Sequence, residues 1–269
     1  MKLLAYNVEY CKGINKKWKY MDAKKLWKPV LGNLKKIAKE LKPYDFDVIG
    51  FIETDAGSFR IDGKSQAKLF SKELKMPFWA EKIKHATTSI AKYANKIPTY
   101  RMHANAIVSK HPTHDTNFLY FSKGVKRLVI NTIVKLPVGK STVDVALFAV
   151  HLSVRKNVRV LQIKELTDMV ESCSYPKIVF GDFNIFGGYQ EINPFLKNTG
   201  LINTSKFAKG DVASYPSWKP TKHIDLILAS PEIKVSNFEV LDIQISDHRP
   251  VMMDFKVTKS SSRKTLSKE

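Results

Sequence analysis

Between residues 77 and 151 this chain strings strand-like segments one after another, with no helix-length segment among them. On either side, helix-like and strand-like segments alternate. Short apolar runs read as strands at 2–8, 46–52, 77–83, 104–109, 116–121, 127–135, 142–151, 177–181, 223–229, 233–243 and 250–257. Leu26, Val30, Leu34, Ile37, Ala38 and Leu41 recur at helical spacing until Pro43 stops them. Residues 64–75 also read as a helix, as do 156–172, where Val160, Ile163, Leu166 and Val170 share one face. A short helix falls near 189–197. Two early helices, a strand-rich centre, then a helix and more strands imply two mixed sheets packed together with helices outside. In such a layout the polar residues at strand ends and in the following loops meet at one rim.

Those strand ends carry the chemistry. Asn7 closes the first strand and Glu9 follows it; Glu53 closes the second. His151 ends the segment at 142–151, and Asp182 and Asn184 follow the segment at 177–181. Asp225 interrupts the apolar run of 223–229, and Asp247 and His248 precede the last strand. Each alone is an ordinary turn former, helix cap or satisfied core histidine. Asp225 is harder to explain so, because a carboxylate inside an apolar strand costs several kcal/mol unless it is paired, and a histidine is its natural partner. Taken together they supply the parts for phosphoester hydrolysis. Glu53, Asp182 and Asp247 offer carboxylates and Asn7 and Asn184 offer amide oxygens, a donor set suited to Mg²⁺ or Mn²⁺ rather than zinc. Such an ion would neutralise charge on the phosphate and the leaving oxygen. A histidine oriented by a buried carboxylate can exchange protons or hold a phosphoryl oxygen.

Asn7, Glu53, His151, Gly181-Asp182-Phe183-Asn184, His223-Ile224-Asp225-Leu226-Ile227-Leu228 and Ser246-Asp247-His248-Arg249-Pro250-Val251, in that order, resemble the endonuclease/exonuclease/phosphatase superfamily. The resemblance implies an α+β fold, a four-layer α/β/β/α sandwich of two mixed β-sheets flanked by helices, as in deoxyribonuclease I. It implies one catalytic domain over residues 1–258, followed by a basic tail at 259–269. It also implies roles. Glu53 would be the principal metal ligand, helped by Asn7 and Asp247, with Glu9 where some members carry a second acidic ligand. Asp182 would position or deprotonate the attacking water, and Asn184 would bind a phosphate oxygen. His248, paired with Asp225, would be the second catalyst or transition-state stabiliser. His151, in Val150-His151-Leu152-Ser153, resembles the active-site histidine of the deoxyribonuclease and sphingomyelinase branches. Asn105 and Arg127 fall where members place groups near the phosphate.

Some departures narrow the choice. Apurinic endonucleases usually carry Tyr-x-Pro-Asn where this chain has His151-Leu152-Ser153, and Gly-Trp-Arg-x-Asp where it has Pro220-Thr221-Lys222-His223-Ile224-Asp225. Inositol phosphatases normally read Gly-Asp-Leu-Asn-Tyr-Arg where this chain reads Gly-Asp-Phe-Asn-Ile-Phe.

Composition bears on the substrate. The 269 residues carry 45 Lys and Arg against 25 Asp and Glu, a formal charge of +20. That excess favours polyanionic partners, nucleic acid first, with phospholipid headgroups or small phosphoesters as the alternative. Trp18, Trp27, Tyr93, Tyr100 and Trp218 lie near basic residues and could stack on bases, although packing explains most of them better. A catalytically idle polyanion-binding protein is the remote third reading. Cys11 and Cys173 fit neither a metal-ligand spacing nor a disulfide framework. No run approaches the ~18 apolar residues of a membrane span, and the N-terminus lacks the apolar core of a signal peptide. A cytoplasmic monomer is expected if the N-terminus is native.

Overall fold

The computed structural model describes residues 1–13, 29–84, 100–125 and 128–258. Leu26, Trp18, Trp27, Tyr93, Arg127 and the tail at 259–269 lie outside the described residues.

The first strand shows how the layers arise. In β1 (Lys2–Asn7) successive side chains point to opposite faces, so Leu3 and Ala5 enter one core while Leu4 and Tyr6 enter another. The Leu3 side packs against a second sheet. The Leu4 side packs against α1 (Leu31–Leu41), whose Leu34, Ile37, Ala38 and Leu41 form the expected apolar stripe. Pro43 falls in the turn that ends this helix. β2 (Val48–Asp55) then returns parallel to β1.

The same unit recurs later. β7 (Ser141–His151) and β8 (Lys177–Asp182) run parallel, joined by α3 (Lys156–Glu171). Each parallel pair lies at the centre of a six-stranded sheet. β1 and β2 are flanked by β12 (Val251–Val257) and β11 (Ile233–Val240) on one side, and by β4 (His103–Ser109) and β3 (Phe78–Ile83) on the other. β7 and β8 are flanked by β6 (Leu128–Val138) and β5 (Thr113–Tyr120), and by β10 (Asp225–Ala229) and the two-residue β9 (Ile202–Asn203). α1 and α2 (Gln66–Leu74) cover the first sheet, and α3 and α4 (Asn193–Thr199) cover the second. The result is the expected four-layer α/β/β/α sandwich of two mixed sheets. Where the sheets meet, the Phe180 ring lies on Gly50; a Cβ there would be 2.0 Å from the ring.

Strand order decides where the polar ends go. β1, β7 and β8 run toward one rim and finish there with Asn7, His151 and Asp182, and β2 brings Glu53 there shortly before it ends at Asp55. Their antiparallel neighbours start at that rim, so β4 begins with His103 and Asn105, β10 with Asp225, and β12 just after His248.

Three sequence readings need correction. Asp225 opens β10 instead of interrupting a strand, because β10 pairs with β8 only from Asp225↔Asp182 onward. Val160 is 53% exposed. At about 3.6 residues per turn, Arg159 lies nearer the middle of the buried face than Val160 does, and it is Arg159, with Gln162, that faces inward. The short β9 carries too little pattern to be legible. Elsewhere the elements appear as read, with ends displaced by a few residues.

Candidate active site

Asp182 sits at the centre of the rim. Gly181 before it has φ +135, and a Cβ there would come within 2.1 Å of the Val150 carbonyl, so β7 and β8 approach as they do only because residue 181 is glycine. In that register His151 neighbours Asp182 on one side and Asp225 faces it on the other. Asp182 is 1% exposed. Its Oδ1 accepts the Asn184 amide at 3.0 Å, and its Oδ2 accepts Asn7 Nδ2 at 3.1 Å. His151 Nε2 stands 3.3 Å from Oδ2, and His248 Nε2 stands 3.9 Å from it.

Asn184 turns away. It holds φ +51 and its Nδ2 donates to the Leu152 carbonyl at 2.9 Å, tying the loop after β8 to the loop after β7. A buried ion pair reinforces that tie. Arg159 of α3 donates to Glu191 at 2.6 Å and to the carbonyls of Ser153 and Val154, and Glu191 accepts the Gly187 amide.

Asp225 and His248 form the pair the sequence suggested. His248 Nδ1 is 2.8 Å from Asp225 Oδ2, and Ser214 donates to the same oxygen at 2.5 Å. Tyr215 closes over the ring, centroid to centroid 4.8 Å. Burial opposes charge on His248, but Asp225 first, then Asp247 and Asp182, outweigh it and raise its pKa to about 10. The Asp225 carboxyl is raised by burial, with His248 pulling it down.

Across from them lies Glu53. The β2–β4 ladder slips between Phe51 and Thr54, and Glu53 holds φ +59 at that slip. A bulge of this kind re-aims a side chain at the edge of a site. The Glu53 amide donates to Asn105 Oδ1 at 3.2 Å, Tyr10 hydrogen-bonds its side chain, and its Oε1 stands 3.8 Å from His151 Nδ1. Asn105 is fully buried and its Nδ2 has no partner in the described structure. Asn7 closes the ring. Its Oδ1 accepts the Glu9 amide at 3.1 Å, and its carbonyl accepts Ser246 Oγ at 2.7 Å. The Glu9 backbone thus supports the ring, and its side chain also reaches Lys12 at 4.0 Å. Ser246 also donates to Asp247 at 3.2 Å. Burial raises the Asp247 carboxyl; His248 pulls it down, and the anions of Glu53 and Asp182 push it up.

The rim thus gathers Asn7, Glu53, His151, Asp182, Asn184, Asp225, Asp247 and His248, with Asn105 and Glu9 supporting. Four side chains here carry no sequence signal. Tyr10, Ser214 and Tyr215 sit in loops, and Lys84 follows an edge strand among many other lysines. Tyr10 stacks on His103 at 3.6 Å and 18°, with the exposed Tyr100 at 4.7 Å beyond. Asp182, Asp225 and His248 bring ligand atoms within 4.8 Å of one another, close enough to hold a cation. No described helix is long and apolar enough to cross a membrane.

Comparisons with known proteins show the family and the fold. The family model described as Endonuclease/Exonuclease/phosphatase family matches residues 4–248. No curated protein matches the chain by sequence. Among solved structures, a functionally unknown conserved protein from Enterococcus faecalis V583 superposes with TM-score 0.69 at 15% identity, covering 96% of this chain and all of its own. An endonuclease/exonuclease/phosphatase family protein from Leptotrichia buccalis gives TM-score 0.68 at 16% identity, over 95% of this chain and 99% of that one. A mannosyl-6-phosphatase from Bacteroides thetaiotaomicron gives TM-score 0.66 at 16% identity, over 95% and 99%.

Proposed function

This chain belongs to the endonuclease/exonuclease/phosphatase family of phosphoester hydrolases, generally divalent-metal dependent, and from that premise we propose that it is a Mg²⁺- or Mn²⁺-dependent phosphodiesterase that cleaves nucleic acid. The observation that carries the reaction class is the ring of carboxylates, amides and two histidines around Asp182.

The donor set fits a hard divalent cation. Glu53 and Asp247 offer carboxylates, Asn7 Oδ1 keeps a second lone pair, and Asp247 feels two neighbouring anions that a cation would relieve. The tighter group of Asp182, Asp225 and His248 is the poorer holder. Asp225 Oδ2 already accepts from His248 and Ser214, and a protonated His248 repels a cation. Glu53, Asp247 and Asn7, with Glu9 beside them, are therefore assigned to the metal, which would supply charge neutralisation at the phosphate and leaving oxygen.

This chain's own groups do the rest. Asp182 is a buried carboxylate held on both oxygens, suited to orient and deprotonate an attacking water. His248, charged and steadied by Asp225, faces the opposite side of Asp182 from His151, and the two rings would grip the phosphoryl oxygens. Asn184 holds the loop that frames them. Asn105 supports Glu53 and leaves its Nδ2 for the substrate. The net charge of +20 supports nucleic acid as the substrate.

A small phosphoester is the second reading. It is favoured by Lys84, 3% exposed beside His151, and by the mannosyl-6-phosphatase among the proteins sharing this fold. Assays with Mg²⁺ or Mn²⁺ across DNA, RNA, phospholipid vesicles and small phosphoesters separate the two readings. Hydrolysis of small phosphoesters with no cleavage of either nucleic acid would replace the first with the second. Asp182→Ala should lower turnover on the preferred substrate by about 10²–10⁴-fold with the far-ultraviolet dichroism unchanged. Unchanged turnover would remove the role given to Asp182.

A further inference from the structure

Lys84 is a buried cation beside the site to which no catalytic or metal-binding role has been assigned. It follows β3, and its backbone amide donates to the His103 carbonyl at 2.8 Å, which fixes it against the start of β4. Its side chain runs into the rim, where Nζ lies 3.3 Å from His151 Nδ1 and 5.5 Å from the centroid of the Tyr10 ring. The Tyr10 ring face and the nearby Glu53 carboxylate both favour an ammonium at this place.

An ammonium has three donors and no acceptor. Facing it, Nδ1 of His151 can only present its lone pair. On the other edge of the ring, Nε2 stands 3.3 Å from Oδ2 of Asp182, a carboxylate that can only accept. The Nδ1 edge sets the proton arrangement, and the Asp182 carboxylate near Nε2 is compatible with it. We propose that Lys84 is a positioning residue that locks His151 in its Nε2–H form, so that the ring presents a proton to Asp182 and to the substrate phosphate. Lys84 Nζ, at 3.3 Å, lies closer to Nδ1 than Glu53 Oε1 does at 3.8 Å. Remove the ammonium, and an acceptor faces Nδ1 instead of a donor. The proton is then drawn to Nδ1, and the ring loses its fixed direction. This rests on the hydrolase reading only for its consequence, not for the tautomer itself.

Nitrogen-15 spectra of the histidine rings read the tautomer directly, in the metal-free protein and without substrate. The His151 signals are assigned by their loss in His151→Asn. The expected wild-type pattern is a bare Nδ1 and a protonated Nε2, and Lys84→Met, which keeps the length of the buried chain, should protonate Nδ1. A wild-type ring protonated at Nδ1 overturns the proposal whether or not any variant folds, and so does an unchanged pattern in folded Lys84→Met. Lys84→Arg, which also only donates, should keep the wild-type pattern. In the assay, Lys84→Met should lose about 10–100-fold in kcat, with a much smaller change in KM, and Lys84→Arg should recover most of it. A large rise in KM at constant kcat would make Lys84 a substrate anchor and sink the positioning role. An inactive enzyme with the expected tautomer fails the hydrolase reading alone; an active enzyme with the other tautomer fails this one alone.

Discussion

His248 carries a proton in the folded chain that an ordinary histidine would release. Its pKa stands near about 10 because Asp225, Asp247 and Asp182 outweigh burial, against ~6.5 for an unfolded histidine. A group raised in this way contributes stability that is complete below about pH 6.5 and is lost as pH climbs through about 10. The denaturation midpoint of the metal-free protein should therefore fall between pH 7 and pH 10. Asp225→Asn should start lower, by about 3–5 kcal/mol for a broken buried pair, and the two curves should converge at high pH. Parallel curves would show that the His248–Asp225 pair does not carry the effect. Residues of this kind were legible because a carboxylate or histidine at the end of an apolar run is chemically conspicuous. Asn7, Glu53, His151, Asp182, Asn184, Asp225, Asp247 and His248 each had an ordinary reading alone and became legible through their joint occurrence and the family resemblance, and the structure gathers them at one rim. Lys84, Tyr10 and Ser214 did not become legible in this way. A lysine after an edge strand, a tyrosine in a turn and a serine in a loop have many ordinary uses, and only the fold reveals which atoms they face.

Strands and helices were legible wherever one face is buried, since burial writes a period into the sequence. α1 shows its stripe plainly, and β1 divides its side chains between two cores. α3 misled at Val160 because its buried face includes Arg159 and Gln162, polar residues satisfied by the loops they hold. Which strands pair was not written in any segment; it follows from the two parallel units and the contact between sheets. At Gly50 in that contact, the missing side chain makes room for Phe180. Gly50→Ala should destabilise the protein by about 1–3 kcal/mol through overpacking. Phe180→Leu on its own leaves a gap and also destabilises. If the two sheets are locked through this pair, the double variant should be more stable than the sum of the two losses, by about 0.5–3 kcal/mol in a denaturant cycle. Simple additivity would place the strain of Gly50→Ala elsewhere.

The whole molecule carries a charge of +20, and that property belongs to no single residue or element. A field of that sign attracts any polyanion, but its effect depends on how many charges the ligand presents. A small phosphoester offers one phosphate, which the rim handles at short range, where salt screens little. A nucleic acid lays many phosphates along the surface, beyond the ~8 Å over which physiological salt leaves charges visible to each other. Each phosphate neutralised by a surface lysine or arginine releases condensed counterions, so binding must weaken steeply as salt rises. With roughly six such contacts, affinity for single- or double-stranded nucleic acid should drop about 10³-fold between about 50 and 200 mM salt. Over the same range, kcat/KM on a small phosphoester should change far less. The comparison uses one protein, one site and one buffer series, so the reacting groups cancel and only the surface field is left. Nucleic-acid binding that ignores salt would mean the basic surface serves something other than the substrate, and the polyanion reading of this chain would fall while its phosphoester chemistry stood.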